Sequence, residues 1–273
     1  MNKVAILYIC TGDYIKFWKG FFTTYEERFL PESEKHYFVF TDAKHLEIGE
    51  NNPHVHIISQ EPLEWPGATL YRFKMFLRIE KELASFNYLF FMNSNLICIE
   101  TIHEDEFLPK EENLLVVLHP GYFNKKRHYN LPYERRKKST AYISFFSKTA
   151  TRYFAGGING GKTEAFLALI RELNDCIDQD DKNHIVAIWH DESHLNRYVS
   201  QHTNYRMLTP AYAYPENWNL PFEKKILILE KKNYIKLDPK KSQPNNNVKP
   251  SLFLITLAKI YEKIWSLFGS EKA

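Results

Sequence analysis

The feature that most constrains the fold of this chain is the alternation of short apolar runs with longer amphipathic stretches. A short apolar run is typical of a buried strand, and apolar residues at helical spacing indicate a helix with one face in the core. Strands are therefore predicted at 3–10, 36–41, 54–58, 87–92 and 113–118, and helices at about 14–29, 69–85, 162–177 and 191–200. This order predicts an α/β fold with a mostly parallel sheet flanked by helices. Thr11-Gly12-Asp13 follows the first strand and marks the edge where such sheets bind ligands.

Size and composition set outer limits on the function. A chain of 273 residues holds one large α/β domain, which we place at 1–239. The net charge of +3 is too small to indicate a nucleic-acid partner. Aromatic residues make up 15% of the chain, which fits either a core built from rings or a surface that binds sugars. Cys10, Cys98 and Cys176 lie far apart without a CxxC pair and predict a reducing compartment.

Three segments bear on location and on anion binding. The apolar run at 3–10 is too short to span a bilayer and has no cleavage pattern, so a cytoplasmic location is predicted. Residues 240–250 are predicted to form a linker, and 251–273 an amphipathic helix and tail. This helix is expected either to dock on the domain or to lie on the inner membrane surface. The basic segment 119–139 is either a solvated loop or a flap over phosphates.

The glycine-rich segment Gly156-Gly157-Ile158-Asn159-Gly160-Gly161-Lys162-Thr163 satisfies the P-loop pattern GxxxxGK[ST]. A helical pattern follows it, so a nucleoside-triphosphate-binding enzyme is one alternative function. A P-loop also requires a buried strand directly before its glycines, and residues 148–154 contain few apolar side chains. The sequence therefore leaves this alternative open without favouring it.

Two further motifs contain polar residues suited to a site. His190-Asp191-Glu192-Ser193-His194 places two histidines on one helix face, but it lacks the acid position of the zinc-protease motif. The beginning of a helix explains it better, because acidic residues stabilise the positive end of the helix dipole. Asn93-Ser94-Asn95 follows a very apolar strand, where either a simple turn or a ligand-binding residue is expected.

Taken together, these segments resemble glycosyltransferase family 6, which contains the blood-group A and B transferases and the α-1,3-galactosyltransferases. The most specific motif is Trp189-His190-Asp191-Glu192-Ser193-His194-Leu195-Asn196, which is similar to the WHDESHLN signature of that family. The segments His119-Pro120-Gly121, Tyr133-Glu134-Arg135-Arg136 and Tyr153–Gly161 support the resemblance in the same order. The resemblance implies a GT-A-type glycosyltransferase fold with a Rossmann-like nucleotide-binding sheet and an acceptor-binding part. It also implies a UDP-sugar donor and retention of anomeric configuration.

The resemblance also implies roles for individual residues. Glu192 is the predicted catalytic carboxylate. The donor-binding residues are predicted to be Ile9, Cys10, Thr11, Tyr14, Arg72, Asn93, Asn95, Ala155, Gly156, Gly157, Asp191, Lys231 and Lys232. The acceptor-binding residues are predicted to be His119, Trp189, Asp191 and Glu192. A carbohydrate-binding protein without catalysis is a further alternative, which the presence of Glu192 and Arg72 argues against.

The donor site departs from most animal members of the family in one respect. Asn93-Ser94-Asn95 stands where those members carry Asp-x-Asp, and neutral asparagines are weak partners for Mn²⁺ or Mg²⁺. We therefore predict a bacterial-type, metal-independent enzyme without a cofactor, in which Lys231 and Lys232 face the diphosphate. Ala155 and Gly157 occupy positions that resemble the family's Gal-versus-GalNAc selector, and their small size predicts UDP-GalNAc over UDP-Gal as donor. The predicted acceptor is a galactose in a fucosylated, blood-group-like oligosaccharide, and no nucleic-acid partner is expected.

Overall fold

The computed structural model describes residues 1–125 and 130–236, together with 256, 257, 259 and 260. At its centre lies strand β1, Lys3–Ile9, whose residues are buried except at its two ends. Apolar side chains on both faces are what a parallel strand covered by helices on both sides requires. Strand β4, Tyr88–Met92, lies beside β1 and has the same composition.

The central sheet has seven strands in the order β3-β2-β1-β4-β7-β6-β8. Strands β1 to β4 run parallel to one another, and β7 runs antiparallel to both of its neighbours, β4 and β6. The remaining strands of this sheet are β2 (Glu34–Thr41), β3 (Val55–Ser59), β6 (Leu114–Leu118), β7 (Phe154–Lys162) and β8 (Tyr205–Leu208). The predicted α/β architecture with a mostly parallel sheet is confirmed.

Helices cover both faces of this sheet and divide the core into two layers. On one face, helix α1 (Trp18–Arg28) packs its aromatic side chains against the even-numbered side chains of β1. On the other face, the odd-numbered side chains of β1 contact α3 (Arg72–Leu77), α6 (Thr163–Lys182) and α7 (His190–Gln201). Shorter helical elements include α2 (Gly67–Leu70), α4 (Glu80–Leu83), α5 (Glu104–Phe107) and the 3₁₀ turns at Gly12–Phe17 and Pro210–Ala213.

A small second sheet brings the C-terminal part of the described chain to the carboxyl ends of β1 and β4. It consists of β5 (Leu96–Cys98), β10 (Ile226–Ile228) and β9 (Tyr214–Pro215), in that order. Just beyond β10, the Leu229 N–H donates to the Asn95 carbonyl at 2.8 Å. The 3₁₀ turn Lys231–Asn233 follows directly, so this sheet carries a basic segment to the edge where β4 ends.

The five predicted strands are confirmed with ends that agree to within two residues. The predicted helix at 69–85 is wrong as a single helix, since that stretch is divided among α2, α3 and α4. Breaks at Tyr71 and at Ile79, where the backbone leaves helical values, separate the three pieces. The predicted helix at 14–29 begins as the 3₁₀ turn and becomes α-helical only at Trp18.

The glycine-rich segment is strand β7, which contradicts the P-loop alternative. A P-loop wraps its backbone amides around phosphates, but here the glycines pair as a central strand between β4 and β6. Glycine is needed because the neighbours approach closely. A Cβ at Gly160 would lie 2.2 Å from the Leu89 carbonyl oxygen, and Gly161 has a φ of 149°. The Lys162 ammonium donates to the Lys110 carbonyl instead of facing a phosphate pocket.

Replacing Gly160 by alanine is expected to lower the free energy of unfolding by more than about 3 kcal/mol, because the methyl group would overlap the β4 backbone. Gly20→Ala is the matched control. Gly20 lies in α1, where the added methyl would make an ordinary 3.7 Å contact, so it should raise stability by about 0.5–1 kcal/mol. Urea unfolding followed by circular dichroism measures both, and a Gly160→Ala protein as stable as wild type would contradict the close packing of β7.

The linker predicted at 240–250 lies outside the described residues, as does most of the helix and tail predicted at 251–273. Four residues of the latter, 256, 257, 259 and 260, have helical backbone and are exposed. Across the described residues, no helix combines the length and the apolar character needed to cross a bilayer. Whether the segment docks on the domain or on a membrane stays a prediction.

Candidate active site

The first cavity, of about 310 Å³, lies at the carboxyl ends of β1 and β4. This is the edge where Thr11-Gly12-Asp13 was expected to mark a ligand site. Its described walls are formed by Ile9, Thr11, Gly12, Asp13, Tyr14, Pro62, Leu63, Trp65, Ala68, Thr69, Arg72, Phe91, Asn93, Ser94, Lys231, Ile235 and Lys236. The predicted donor-binding residues Ile9, Thr11, Tyr14, Arg72, Asn93 and Lys231 are therefore brought together here.

Cys10 differs from its neighbours in the first cavity. Its side chain is fully buried in the core on the α1 side of the sheet, and it does not line the cavity. Burial raises the pKa of its thiol to about 12, so it is not a nucleophile. The Cys10 carbonyl accepts from the Thr41 hydroxyl at 2.9 Å. Cys10 thus shapes the end of β1 through its backbone.

A second cavity, of about 180 Å³, lies next to the first. Its described walls are formed by Asn93, Leu96, His119, Pro120, Ala155, Gly157, Ile158, Glu192, Ala213 and Ile228. Asn93 lines both cavities, so the two spaces meet at the end of β4. The predicted selector residues Ala155 and Gly157, the predicted acceptor residue His119 and the predicted catalytic residue Glu192 all face this second cavity.

Glu192 lies in the first turn of α7, where the helix dipole favours a negative charge. Its Oε2 accepts from the Gly156 N–H at 2.7 Å. Burial raises the pKa of the Glu192 carboxyl, while the Gly156 amide, the nearby Tyr153 hydroxyl and Arg72 lower it. A Cβ at Gly156 would lie 3.1 Å from the Glu192 Cβ, so a glycine lets this helix approach β7 closely. The carboxylate is thereby fixed in the wall of the second cavity.

Arg72 and Asp191 form a buried ion pair behind Glu192. The Arg72 Nη2 lies 2.6 Å from the Asp191 Oδ2, and both side chains are almost completely buried. The guanidinium also stacks over the Phe91 ring at 4.2 Å. Burial raises the pKa of the Asp191 carboxyl to about 7, while Arg72 opposes that rise.

Only one partner of this pair faces an open space. Arg72 lines the first cavity, whereas Asp191 lines neither cavity. In this structure Asp191 therefore acts on Arg72 and does not contact the cavities, although it was predicted to bind both substrates. Its position indicates that it orients the guanidinium and compensates its buried charge.

His119 offers a hydrogen-bond donor to the second cavity. Its Nδ1 accepts from the Gly121 N–H at 3.0 Å, and burial lowers the pKa of the ring to about 4. The ring is therefore neutral near pH 7, and because Nδ1 accepts, its proton is on Nε2. Nε2–H is therefore the ring donor that His119, a lining residue of the second cavity, has left for a ligand.

Trp189 lines neither cavity, although it was predicted to stack on the acceptor. It packs against the cluster of Leu131, Tyr133, Ile143, Ala150 and Tyr153, and its Nε1–H is buried without a hydrogen-bond partner. The segment before it is held by Glu134, whose Oε2 accepts from the Ile188 N–H at 2.9 Å. Arg136 pairs with Glu134 at 2.6 Å. These contacts give Glu134 and Arg136 a structural role in the basic segment 119–139, which is not described in full.

The two lysines that were predicted to act together differ in position. Lys231 lines the first cavity, and its ammonium lies 5.1 Å from the centre of the Tyr14 ring. Burial lowers the pKa of Lys231. Lys232 lines neither cavity, its side chain is 68% exposed, and it lies 3.7 Å from Glu230. Lys236, which sequence reasoning missed, lines the first cavity beside Lys231.

Asn95 joins the end of β4 to the C-terminal segment. Its Nδ2 donates to the Leu229 carbonyl at 2.7 Å, which anchors the chain just before Lys231. Among the described walls of the first cavity, Asp13 alone carries a carboxylate, and Lys16 lies 2.9 Å from it. Divalent cations such as Mn²⁺ and Mg²⁺ need carboxylate or other anionic oxygen ligands. The residues at this place therefore do not fit the metal that Asp-x-Asp members of the family imply.

The two histidines of the motif at 190–194 have different surroundings. The His190 ring contacts the Trp65 ring edge-on, with centroids 4.9 Å apart. His194 is buried with its Nε2 3.8 Å from an oxygen of Asp180. In the described part of the chain, neither belongs to a group of three potential metal ligands. The motif begins helix α7, as its acidic residues indicated.

Sequence reasoning also missed Trp65, Leu63 and Tyr153. Trp65 and Leu63 form a wall of the first cavity from a segment without a strong periodic pattern. Tyr153 is fully buried beside Glu192, whose charge contributes to raising the pKa of the Tyr153 hydroxyl. The sequence signal for Tyr153 was its position directly before the glycine-rich segment. That position indicates a site residue only once the segment is known to be strand β7.

The site defines a class of protein. Two adjoining cavities at the carboxyl edge of an open α/β sheet, with a buried carboxylate in the smaller one and cations in the larger one, suit an enzyme that transfers a group from an anionic donor to a second substrate. A sequence profile described as Glycosyltransferase family 6 matches residues 3–237. The chain belongs to glycosyltransferase family 6 and is a glycosyltransferase.

Individual relatives agree with this assignment. The chain is 36% identical over 228 residues to the O-antigen biosynthesis glycosyltransferase WbnI of Escherichia coli, covering 84% of this chain and 94% of that protein. It is 28% identical over 220 residues to histo-blood group ABO system transferase 1 of Rattus norvegicus, covering 79% and 62%. It is 27% identical over 228 residues to globoside alpha-1,3-N-acetylgalactosaminyltransferase 1 of Gallus gallus, covering 81% and 64%. The chain thus spans less than two thirds of the rat and chicken proteins.

Proposed function

We propose that the protein transfers N-acetylgalactosamine from UDP-GalNAc to the 3-hydroxyl of a galactose, with retention of the α configuration and without a metal ion. The observation that carries this proposal is the position of Glu192, whose carboxylate lines the second cavity beside its junction with the first. A donor whose nucleotide lies in the first cavity would present its anomeric carbon near Asn93, where the two spaces meet, so that its C2 substituent faces the part of the second cavity lined by Ala155 and Gly157. An acceptor in the second cavity would then lie beside the same carbon.

The choice of GalNAc rests on the space around Ala155 and Gly157. Both residues line the second cavity, and a Cβ at Gly157 would lie 3.5 Å from the Asn93 Cβ. The absence of that Cβ leaves room for an N-acetyl group at C2 of the donor sugar. The relative from Gallus gallus is named as an N-acetylgalactosaminyltransferase, which supports this choice over galactose.

Independence from metal rests on the donor-site charges. Arg72, Lys231 and Lys236 line the first cavity together with the single carboxylate of Asp13. Because Arg72 is paired with Asp191, the lysines are the cations available to the departing diphosphate. Preorganised cations aimed at developing charge can supply the stabilisation that a divalent ion would otherwise give.

Two routes lead to retention at this site. In one, the Glu192 carboxylate attacks the anomeric carbon as the bond to UDP breaks; the acceptor oxygen then displaces Glu192 and its proton passes to a phosphate oxygen of UDP. In the other, the acceptor oxygen enters on the face from which UDP departs, its proton passes to the departing phosphate, and Glu192 stabilises the positive charge that develops on the sugar. Both routes need an ionised Glu192, which the Gly156 N–H and the beginning of α7 favour.

The acceptor is proposed to be a galactose in a fucosylated oligosaccharide. The Nε2–H of His119 suits a hydroxyl oxygen of this sugar, and the apolar side chains of Leu96 and Ile228 in the second cavity suit its C–H groups. The name of the Escherichia coli relative refers to O-antigen biosynthesis. A bacterial surface glycan with a blood-group-like structure is therefore our proposed product.

The test is a transfer assay with UDP-GalNAc and UDP-Gal on a fucosylated galactoside, with and without EDTA. We expect transfer from UDP-GalNAc that survives EDTA, with a kcat/KM at least about 10-fold above that for UDP-Gal. The same galactoside without fucose measures the contribution of that sugar. A preference for UDP-Gal would contradict the donor choice, and a requirement for added metal would contradict the role given to the lysines. Acceptor binding without turnover would favour a carbohydrate-binding protein.

A further inference from the structure

A cluster of three histidines and one glutamate lies at the opposite end of the sheet from the active site. Glu34 and His36 lie two residues apart on one face of β2. On the same face of the sheet lie His54, directly before the neighbouring edge strand β3, and His56 within that strand. The register pairs Tyr37 with Val55 and Phe38 with His56, so His36 and His54 are cross-strand neighbours. All four side chains are partly buried.

The ligand atoms of Glu34, His36 and His54 lie within 4.8 Å of one another. The His36 Nε2 is 2.8 Å from the Glu34 Oε1, and the His36 and His54 rings stack with centroids 4.3 Å apart. Ligands of a tetrahedral zinc ion are separated by about 3.3 Å, given Zn–N distances of about 2.0–2.1 Å. The ligand atoms lie at most 4.8 Å apart, which is about 1.5 Å more than this spacing, so side-chain rotations without a backbone change would bring them into coordinating positions.

A second contact orients the central ligand. The His36 Nδ1 lies 2.9 Å from the His56 Nε2, so one ring can donate to the other. When Nδ1 of His36 carries the proton, its Nε2 presents a lone pair toward Glu34 and His54. Histidines that bind metals commonly donate their other N–H to an acceptor in this way, which fixes tautomer and ring orientation.

We propose that Glu34, His36 and His54 form a binding site for a divalent transition metal ion, with zinc as the best match, and that His56 orients His36. Two imidazoles and one carboxylate are borderline ligands that suit zinc, and they leave a fourth position for water. A bound ion would link β2 to the residue directly before the edge strand β3, and this link would raise the free energy of unfolding. Among the described contacts, the lysine that pairs with Glu34 is Lys3, whose Nζ lies 3.2 Å from the carboxylate. A metal ion bound to Glu34 would displace it.

This metal site is separate from the transfer reaction. His36 lies five residues before Thr41 at the carboxyl end of β2, a distance of about 17 Å along the strand. Removal of zinc by EDTA is therefore expected to lower the melting temperature while transfer continues.

The test is competition between the tag-free protein and a chromogenic zinc chelator, at pH 7.5. We expect one zinc ion per chain with micromolar or tighter affinity, and a rise in Tm of about 5 °C at saturating zinc. His54→Ala and Glu34→Gln should each weaken zinc binding at least 10-fold. His45→Ala is the matched control, because this exposed histidine also pairs with a glutamate, Glu50, and belongs to no cluster of three ligands among the described residues.

The proposal is overturned if the protein binds no zinc, or if His54→Ala and Glu34→Gln bind it as tightly as wild type. Cys176→Ser separates binding at this partly exposed thiol from binding at the histidine cluster. If Cys176→Ser abolished zinc binding and His54→Ala did not, the assignment to the cluster would be wrong. Circular dichroism of each variant shows whether it has folded.

Discussion

Glu192→Gln is expected to lower kcat by about 1,000-fold while donor and acceptor KM values change little. Glutamine has almost the same shape, and its amide oxygen can still accept the hydrogen bond from the Gly156 N–H. What the substitution removes is the negative charge at the wall of the second cavity. In either retaining route that charge acts mainly in the transition state, so the loss should appear in kcat.

The control for this substitution is Glu223→Gln, which makes the same chemical change at an exposed position and should leave kcat unchanged. Steady-state transfer from UDP-GalNAc measures both variants, and urea unfolding shows whether Glu192→Gln has altered the fold. A Glu192→Gln enzyme that keeps more than about a tenth of the wild-type kcat would remove Glu192 from its catalytic role. Either retaining route would then require a different carboxylate.

Lys231→Ala is expected to lower kcat by about 100-fold, because it removes a cation from the first cavity. Burial lowers the pKa of Lys231, and no carboxylate lies within ion-pair distance of it among the described residues. Its charge is therefore available to the diphosphate as UDP departs. Lys231→Arg should recover part of the loss, since it keeps the charge but changes its shape.

Lys232→Ala provides the matched control for the neighbouring position. Its side chain is mostly exposed and pairs with Glu230, and surface pairs of this kind contribute little. We expect its kcat to stay within about twofold of wild type. Equal losses in Lys231→Ala and Lys232→Ala would show that the segment acts through general charge and not through the position of Lys231. An unchanged Lys231→Ala would contradict the metal-free interpretation of the donor site.

Much of the site could be predicted because its residues lie at positions where local sequence is decisive. The strand ends at Ile9 and Met92 follow from apolar runs, and ligands bind where such strands end. Glu192 could be named because it lies in an eight-residue motif with few alternatives. The positions of Asp191 and Trp189 could not be predicted in the same way, since a helix of known register can still turn either side chain toward solvent, core or ligand.

The sequence by itself determined the α/β class, five of the seven strands of the central sheet, the family and many of the residues that line the two cavities. Apolar periodicity and short motifs are local properties, so they can be read without knowledge of the neighbours. Only the tertiary structure decided that the glycine-rich segment is strand β7, because the need for glycine at position 160 comes from the approach of Leu89. It also decided that Arg72 engages Asp191 and that Lys231, but not Lys232, lines the first cavity. These facts depend on contacts between residues far apart in the chain, which no local pattern encodes.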